Sequence, residues 1–210
     1  SSVRRGTEYE QESMRILQNG LSMSLRRVGG KADGGIDLQG WWWLPAENSS
    51  LYDHPNGYRR LRVLVQCKRE SKKLGPKYIR ELEGVLHRYG ATQSSNEDVT
   101  SPPVVGMLIS ASPFSKMAIT HAHSSPIPLV LLHLAVPEGT APVTSEDPAD
   151  RDSTSSEGTF ASIVFNPTLG SKTGLLRGHC EARWEHAADP TSEGRLRLWW
   201  KGQTMKSWTP

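Results

Sequence analysis

The spacing of apolar positions changes from helical to alternating over the first part of the chain. Over residues 7–21 apolar side chains recur every three or four residues, which predicts an amphipathic helix that ends at Gly20. Residues 21–28 alternate between apolar and polar side chains, as a half-buried strand does. A glycine-rich turn over 28–35 then leads into a second predicted strand over 36–44.

Strands and helices alternate in the middle of the chain. Residues 61–68 have an apolar side chain at every odd position, which predicts a third strand with Gln66 and Lys68 on the other face, together with Arg62 and Leu64. The elements predicted next are a helix, a buried strand, a second helix and another buried strand, at residues 76–90, 104–109, 114–123 and 127–134. The order helix, three strands, helix, strand, helix, strand predicts an α/β fold, a mixed sheet flanked by helices on both faces.

Composition divides the chain into three parts. Residues 1–136 carry the alternating elements and form the predicted main domain. Residues 137–158 are acidic and rich in Pro, Ser and Thr, with almost no large apolar side chain, which predicts a linker. Residues 159–210 contain short strand-like segments and turn residues, and we interpret them as a small β-rich extension that packs on the main domain.

Composition also excludes several classes of protein. No apolar run approaches the roughly 18 residues that a membrane-spanning helix needs. The two cysteines, Cys67 and Cys180, are too few for a disulfide-rich scaffold or a four-cysteine zinc site. The glycine pairs 29–30 and 34–35 lack the spacing of a P-loop or a dinucleotide-binding motif. We therefore expect a globular protein without a nucleotide-hydrolysis site.

Positive charge is concentrated in one segment. Residues 59–80 contain nine basic residues and one acid, whereas the whole chain has a net charge of only +3. Such a stripe is typical of a surface that binds a polyanion. It is equally compatible with a solvated helix face, and charge alone leaves both interpretations open.

Polar side chains in three predicted elements are candidates for chemistry. Glu10 lies on the apolar stripe of the first helix, where a carboxylate needs a cation or hydrogen-bond donors, or it completes a capping box with Thr7. Asp37 follows the glycine turn, where an ordinary turn residue is the alternative. Gln66 and Lys68 place an amide oxygen beside an ammonium group, and this pair can hold a metal ion and a water together.

Three consecutive tryptophans lie on the second predicted strand. Trp41, Trp42 and Trp43 could form a stacking platform for unpaired bases. The alternative is that they belong to the core on one face and contact the 159–210 extension, or a protein partner, on the other.

Six short motifs together resemble a known group of enzymes. They are Gly6-Thr7-Glu8-Tyr9-Glu10, Gly35-Ile36-Asp37-Leu38, Val65-Gln66-Cys67-Lys68-Arg69, Glu81-Leu82-Glu83-Gly84, Val105-Gly106-Met107-Leu108-Ile109-Ser110 and Phe114-Ser115-Lys116-Met117-Ala118. In this order they are similar to the Mrr-type branch of the restriction-endonuclease-like PD-(D/E)XK superfamily, over about residues 4–136. The whole chain resembles the fungal mitochondrial family called required for respiratory growth protein 7.

The resemblance implies a nuclease that uses Mg²⁺ or Mn²⁺ to hydrolyse phosphodiester bonds of DNA in mitochondria. In it, Asp37 would be the central metal ligand, beside Gln66 and the backbone carbonyl of Cys67. Lys68 would be the catalytic lysine, and Glu10 would support the metal. The residues that would hold the nucleic-acid backbone are Arg69, Lys72, Lys73 and Lys77.

The same resemblance contains one departure, because Gln66 stands where the superfamily usually has an acid. A neutral amide in place of a carboxylate removes one negative charge and weakens divalent-ion binding. The alternative is therefore a catalytically weak or inactive nuclease-fold protein that binds nucleic acid or a protein partner in mitochondrial genome maintenance or expression.

Overall fold

The computed structural model describes residues 2–28, 34–46, 53–54, 57–94, 102–135, 159–185 and 195–210. The helices are α1 (Ser2–Gly20), α2 (Pro76–Ser94), α3 (Lys116–Ser124) and α4 (Pro167–Gly170). The strands are β1 (Met23–Arg27), β2 (Leu38–Pro45), β3 (Asp53–His54), β4 (Tyr58–Lys68), β5 (Val104–Ser110), β6 (Leu129–Ala135), β7 (Thr159–Phe165), β8 (Cys180–Glu185), β9 (Arg195–Trp200) and β10 (Gln203–Thr204). The predicted linker, residues 137–158, lies outside the described residues.

The main sheet has the strand order β1-β2-β4-β5-β6-β7, and the two-residue β3 also pairs with β4. The pairs β1–β2, β2–β4 and β6–β7 are antiparallel, whereas β4–β5 and β5–β6 are parallel. The helices α2 and α3 form the crossovers between the parallel strands, which a hairpin turn cannot connect. The predicted mixed α/β fold is confirmed, with β3 as an additional short strand.

The first helix is longer than its apolar pattern indicated. Because α1 begins at Ser2, Thr7 lies inside the helix and cannot be its N-cap, so the capping-box interpretation of Glu10 is wrong. The helix buries Tyr9 and Leu17 on its apolar side. Across the described ranges, no helix is long and apolar enough to cross a membrane.

Two apolar clusters, one on each face of the main sheet, hold the layers together. One cluster joins α1 and part of the C-terminal region to the sheet through side chains such as Val63 and Val65. The other cluster packs α2 and α3 against the opposite face, which includes Leu64 and Leu108. Since neighbouring residues of a strand point to opposite faces, odd-numbered residues of β4 face α1. Even-numbered ones, including Gln66, face the α2 and α3 side.

The C-terminal region is divided differently from the sequence-based expectation. The strand β7 pairs with β6, so the first strand after residue 158 is an edge strand of the main sheet. The strands β8, β9 and β10 form a separate antiparallel sheet, which is the predicted β-rich extension. This small sheet packs on the α1 side through Leu198 and Trp200.

The tryptophan-rich strand β2 is largely core. Trp42 is 0% exposed and Trp43 is 4% exposed. The C-terminal Trp208 stacks on Tyr58 with ring centroids 4.1 Å apart, and meets Trp43 edge-on at 5.7 Å. The expected contact between this strand and residues 159–210 is therefore confirmed.

The carboxyl ends of β4 and β5 meet at one edge of the sheet, and the loops that follow them are tied together. Leu74 forms an isolated bridge with Phe114, and the Ser115 N–H donates to the Leu74 carbonyl at 2.9 Å. The Ser112 hydroxyl donates to the carbonyl of Glu70. Open α/β sheets bind their ligands beyond the carboxyl ends of parallel strands, and the candidate residues of β4 lie at this edge.

Candidate active site

Asp37 is held where β2 begins beside the end of β4. Its backbone N–H donates to the Val65 carbonyl at 2.9 Å. Its carboxylate Oδ2 accepts a hydrogen bond from the backbone N–H of Cys67 at 2.7 Å. The half-buried side chain is thus fixed against the last residues of β4, which is not the position of an ordinary turn residue.

Gln66 presents a buried oxygen to this edge. Its side chain is 5% exposed, and Oε1 has no hydrogen-bond partner among the described residues. An unpaired buried oxygen costs about 1–3 kcal/mol, a cost that a bound ion or water removes. The oxygen is suited to a hard divalent cation, which prefers oxygen ligands.

The glycine turn allows the backbone to approach Gln66. Gly35 has a φ of +93°, a conformation that side chains other than glycine rarely adopt. A Cβ atom at Gly35 would lie 3.2 Å from Nε2 of Gln66. Glycine at this position therefore serves both the turn before Asp37 and the packing of the Gln66 amide.

Lys68 lies two residues beyond Gln66, on the same face of β4. Its Nζ atom is 5.6 Å from the centre of the Tyr78 ring, a cation–π distance. In the described part of the chain no carboxylate forms an ion pair with Lys68. Its ammonium group is therefore available to a phosphate or a water molecule at the sheet edge.

Cys67 lies between these residues and faces the other side of the sheet. Burial raises the pKa of its thiol, and the negative charges of Asp37 and Glu10 raise it further, while Lys68 lowers it. The charges of Asp37, Glu10 and Lys68 therefore all lie near the Cys67 thiol. Because the Cys67 N–H points to Asp37, its carbonyl points to the same edge, where it is the remaining backbone oxygen suited to a cation.

Glu10 is occupied by a different partner. Arg27 at the end of β1 donates to Oε2 of Glu10 from Nη2 at 2.7 Å and from Nε at 3.2 Å. The ion pair is partly buried, since the Glu10 side chain is 18% exposed. Glu10 approaches from the α1 side, so the structure places it near Cys67 but on the opposite face of the sheet from Gln66.

The donor set has few acidic members. Across the described ranges, no group of three or more His, Cys, Asp or Glu side chains is arranged to hold a metal ion. A divalent ion would therefore depend on Asp37, the amide oxygen of Gln66 and the Cys67 carbonyl. These three groups fit Mg²⁺ or Mn²⁺ in chemical type, with one carboxylate as the only firm negative charge.

The predicted nucleic-acid contacts lie directly beyond the site. Lys72 and Lys73 are exposed in the loop after β4, and Lys77 is exposed in the first turn of α2, 3.7 Å from Glu81. Arg69 donates from Nη1 to the backbone carbonyl of Arg5 at 3.4 Å. Lys72, Lys73 and Lys77 thus follow Lys68 along the chain at exposed positions, whereas Arg69 extends towards α1 on the opposite face of the sheet.

Three residues at the site were not found from sequence. Tyr78 supports Lys68 and donates its hydroxyl to Glu70 at 3.2 Å. Arg27 neutralises Glu10. Lys116 begins α3 directly after Ser115, whose backbone N–H donates to Leu74 in the loop that carries Lys72 and Lys73. Only the last carried a usable signal, a basic residue directly after a helix N-cap.

A family comparison agrees with the resemblance of the chain to the family called required for respiratory growth protein 7. The family model described as Required for respiratory growth protein 7 matches residues 1–167. The chain belongs to this family. No solved structure gives a significant match.

Curated relatives match only parts of the chain. A Schizosaccharomyces pombe protein named as uncharacterized and mitochondrial is 35% identical over 89 residues, which cover 42% of this chain and 32% of the relative. Required for respiratory growth protein 7, mitochondrial, of Saccharomyces cerevisiae is 33% identical over 130 residues, 47% of this chain and 54% of the relative. The protein of that name from Eremothecium gossypii is 30% identical over 164 residues, 65% of this chain and 66% of the relative.

The names of these relatives state a cellular location but no catalysed reaction. All three are named as mitochondrial proteins, in agreement with the location that the sequence resemblance implied. This chain spans about a third of the length of the first of them and about half of the second.

Proposed function

We propose that this protein is a metal-dependent nuclease of the PD-(D/E)XK type that hydrolyses phosphodiester bonds of DNA in mitochondria. The observation that carries the proposal is the buried, unpartnered Oε1 of Gln66 on the same strand face as Lys68. Asp37 accepts a hydrogen bond from the backbone N–H of Cys67, which lies between Gln66 and Lys68. The motif order described above supports the proposed place in the PD-(D/E)XK superfamily.

Each residue would have a distinct task. Asp37, Gln66 and the Cys67 carbonyl would hold Mg²⁺ or Mn²⁺, which neutralises phosphate charge and makes a bound water more acidic. Lys68 would orient the attacking water and stabilise the charge that develops on the phosphate. Arg69, Lys72, Lys73 and Lys77 would position the backbone without reading its sequence.

Cleavage assays on single-stranded, double-stranded and branched DNA with Mg²⁺ and with Mn²⁺ test this proposal. We expect cleavage by the wild type and loss of cleavage in Asp37→Ala and Lys68→Ala. The matched controls are Glu181→Ala and Lys172→Ala, because both residues are exposed and lie outside the sheet edge. Activity that persists in both site variants would contradict the assignment of the site.

A second candidate function follows from the low negative charge of the proposed metal site. Gln66 is neutral and Glu10 is bonded to Arg27. A protein with this site could bind nucleic acid and cleave it slowly or not at all. Salt-dependent binding of DNA or RNA without cleavage in any divalent metal would select this function.

A protein partner at the tryptophan-rich strand or the C-terminal extension remains a further prediction. In the described residues, Trp184 of the extension is a large apolar side chain that is 47% exposed. Binding of a protein partner that Trp184→Ala weakens, with DNA binding unchanged, would support it.

A further inference from the structure

The sheet face that carries Gln66 and Lys68 has a second group of polar side chains near the other end of β4, beyond the buried Leu64. Trp41 on β2 lies opposite Arg62 on β4 in the strand register. The guanidinium carbon of Arg60 is 4.3 Å from the centre of the Trp41 ring, and that of Arg62 is 5.0 Å from it. We call these three side chains the Trp41 stack.

Arg62 is positioned by neutral partners. Its Nη2 donates to Oε1 of Gln39 at 3.1 Å, and its Nε donates to the Tyr89 hydroxyl at 3.2 Å. These hydrogen bonds hold the guanidinium plane beside the Trp41 ring without cancelling its charge. The side chain is therefore ordered before any ligand binds, which lowers the entropic cost of binding.

Positive charge accumulates around the stack. Among the residues that the structure describes, no carboxylate pairs with Arg60 or Arg62. Arg26 is exposed on β1, opposite Gln39 in the register, so it extends the same face. The surface therefore attracts an anion.

A second arginine–tryptophan pair differs from the Trp41 stack in its charge. In the C-terminal sheet, the guanidinium carbon of Arg183 is 4.6 Å from the centre of the Trp199 ring. There Glu181 neutralises Arg183 at 2.7 Å. That pair has a similar distance between guanidinium and ring, but Glu181 cancels its charge, which makes it a matched control.

Of the three tryptophans on β2, only Trp41 is placed for an external contact. Trp42 and Trp43 are buried, whereas Trp41 is half-buried on a face that also carries the exposed Arg60. The stack thus combines planar groups with exposed cations.

We propose that the Trp41 stack binds single-stranded nucleic acid. An unpaired base adds to the stacked indole and guanidinium planes, an interaction that every base can make. Arg60 and Arg26 donate to the neighbouring phosphates. Bases within a duplex already stack on one another, so duplex nucleic acid offers only its phosphates to this surface.

The stack is separate from the proposed catalytic residues. From Arg62 to Gln66 is four residues of β4, about 13 Å at roughly 3.3 Å per residue. The binding does not rest on cleavage and is measurable where no divalent metal is present.

Fluorescence anisotropy of a labelled 20-nucleotide oligothymidine with the full chain in EDTA tests the inference. We expect Arg60→Ala and Trp41→Leu each to weaken binding about tenfold. The controls Arg183→Ala and Trp184→Leu are expected to leave binding within about twofold. A hairpin duplex is expected to respond less than the single strand to Trp41→Leu.

Two results would overturn the inference. One is unchanged oligothymidine binding in Arg60→Ala, whose exposed side chain can be removed without disturbing the fold. The other is an equal loss in the Arg183→Ala control. If oligothymidine binding behaves as expected but the wild type cleaves no DNA in Mg²⁺ or Mn²⁺, the nuclease proposal fails and the binding site remains.

Discussion

Two polar clusters on the same side of the main sheet differ in how completely their atoms are bonded. Between α2 and α3, Glu83 accepts a hydrogen bond from the Ser125 hydroxyl at 2.5 Å and lies 3.0 Å from Nε2 of His121. Both carboxylate oxygens are thus engaged. At the sheet edge, Oε1 of the buried Gln66 has no partner among the described residues.

This difference separates a structural cluster from a candidate functional one. A saturated buried network stabilises the contact between the elements that it joins. An unsaturated group reduces stability, and a protein tolerates that cost where a ligand will be bound. We therefore expect substitutions in the first cluster to change stability, and substitutions in the second to change ligand binding and catalysis.

The largest expected difference is between Asp37→Asn and Glu83→Ala. Asp37→Asn should reduce DNA cleavage by about a hundredfold or more, since it removes the one carboxylate of the proposed metal site. Glu83→Ala should leave cleavage within about twofold but lower the free energy of unfolding by about 1–3 kcal/mol, because its two partners lose their acceptor. Single-turnover cleavage and urea unfolding measure the two effects, and the reverse pattern would contradict the comparison.

The glycine turn offers a second test. Gly35→Ala should lower the free energy of unfolding by about 1–2 kcal/mol, because of its positive φ. The new Cβ would also displace the Gln66 amide and weaken Mn²⁺ binding. The control is Gly84→Ala inside α2, where a Cβ meets nothing within 4 Å and stability should rise by about 0.5–1 kcal/mol. Equal effects of the two substitutions would contradict the role given to the turn.

The role of the Gln66 amide in metal binding can be tested by replacing it with a carboxylate. Gln66→Glu should strengthen Mn²⁺ binding about tenfold, since a carboxylate adds a negative charge to the proposed site. Without metal the variant should be less stable, because the new charge is buried. The dependence of the melting temperature on Mn²⁺ measures both, with exposed Gln11→Glu as the control. A variant that gains no metal affinity would argue that this edge is not a metal site.

The smallest expected effect concerns His133, which lies in register with Ser110 and so extends the row that begins at Lys68. Burial lowers the pKa of His133 from the usual 6.5. The folded state therefore favours the neutral ring, and stability is lost as the pH falls below about 6.5 towards the lowered value. Urea unfolding between pH 7.5 and 5 should show a smaller loss in His133→Gln than in the wild type. His123→Gln, at an exposed position, should behave as the wild type.

The local sequence pattern predicted correctly those features that depend on a single helix or strand. The apolar side chains at the odd positions of residues 61–68 placed Gln66 and Lys68 on the other face, and the strand β4 has them there. The local pattern was a poor guide to helix ends. Gly90 was expected to end α2, yet the helix continues to Ser94. A glycine costs a helix only about 1 kcal/mol, which the packing of neighbouring turns can outweigh.

The sequence pattern did not identify which individual residues pair between distant segments. The Arg27 partner of Glu10 depends on β1 running back alongside α1. The Trp208 contact with Trp43 depends on where the last residues of the chain cross the sheet. Neither distance along the sequence nor residue type specifies such pairs.

The sequence by itself determined the order of the elements and the face of each strand, since periods of 3.6 and 2 residues are local properties of the backbone. The tertiary structure decided which polar groups are satisfied. Glu10 and Gln66 looked alike as polar side chains in apolar surroundings. Only the packing of β1 and β2 around them gave one a guanidinium partner and left the oxygen of the other unbonded, because the energy of a buried polar group depends on its neighbours in space.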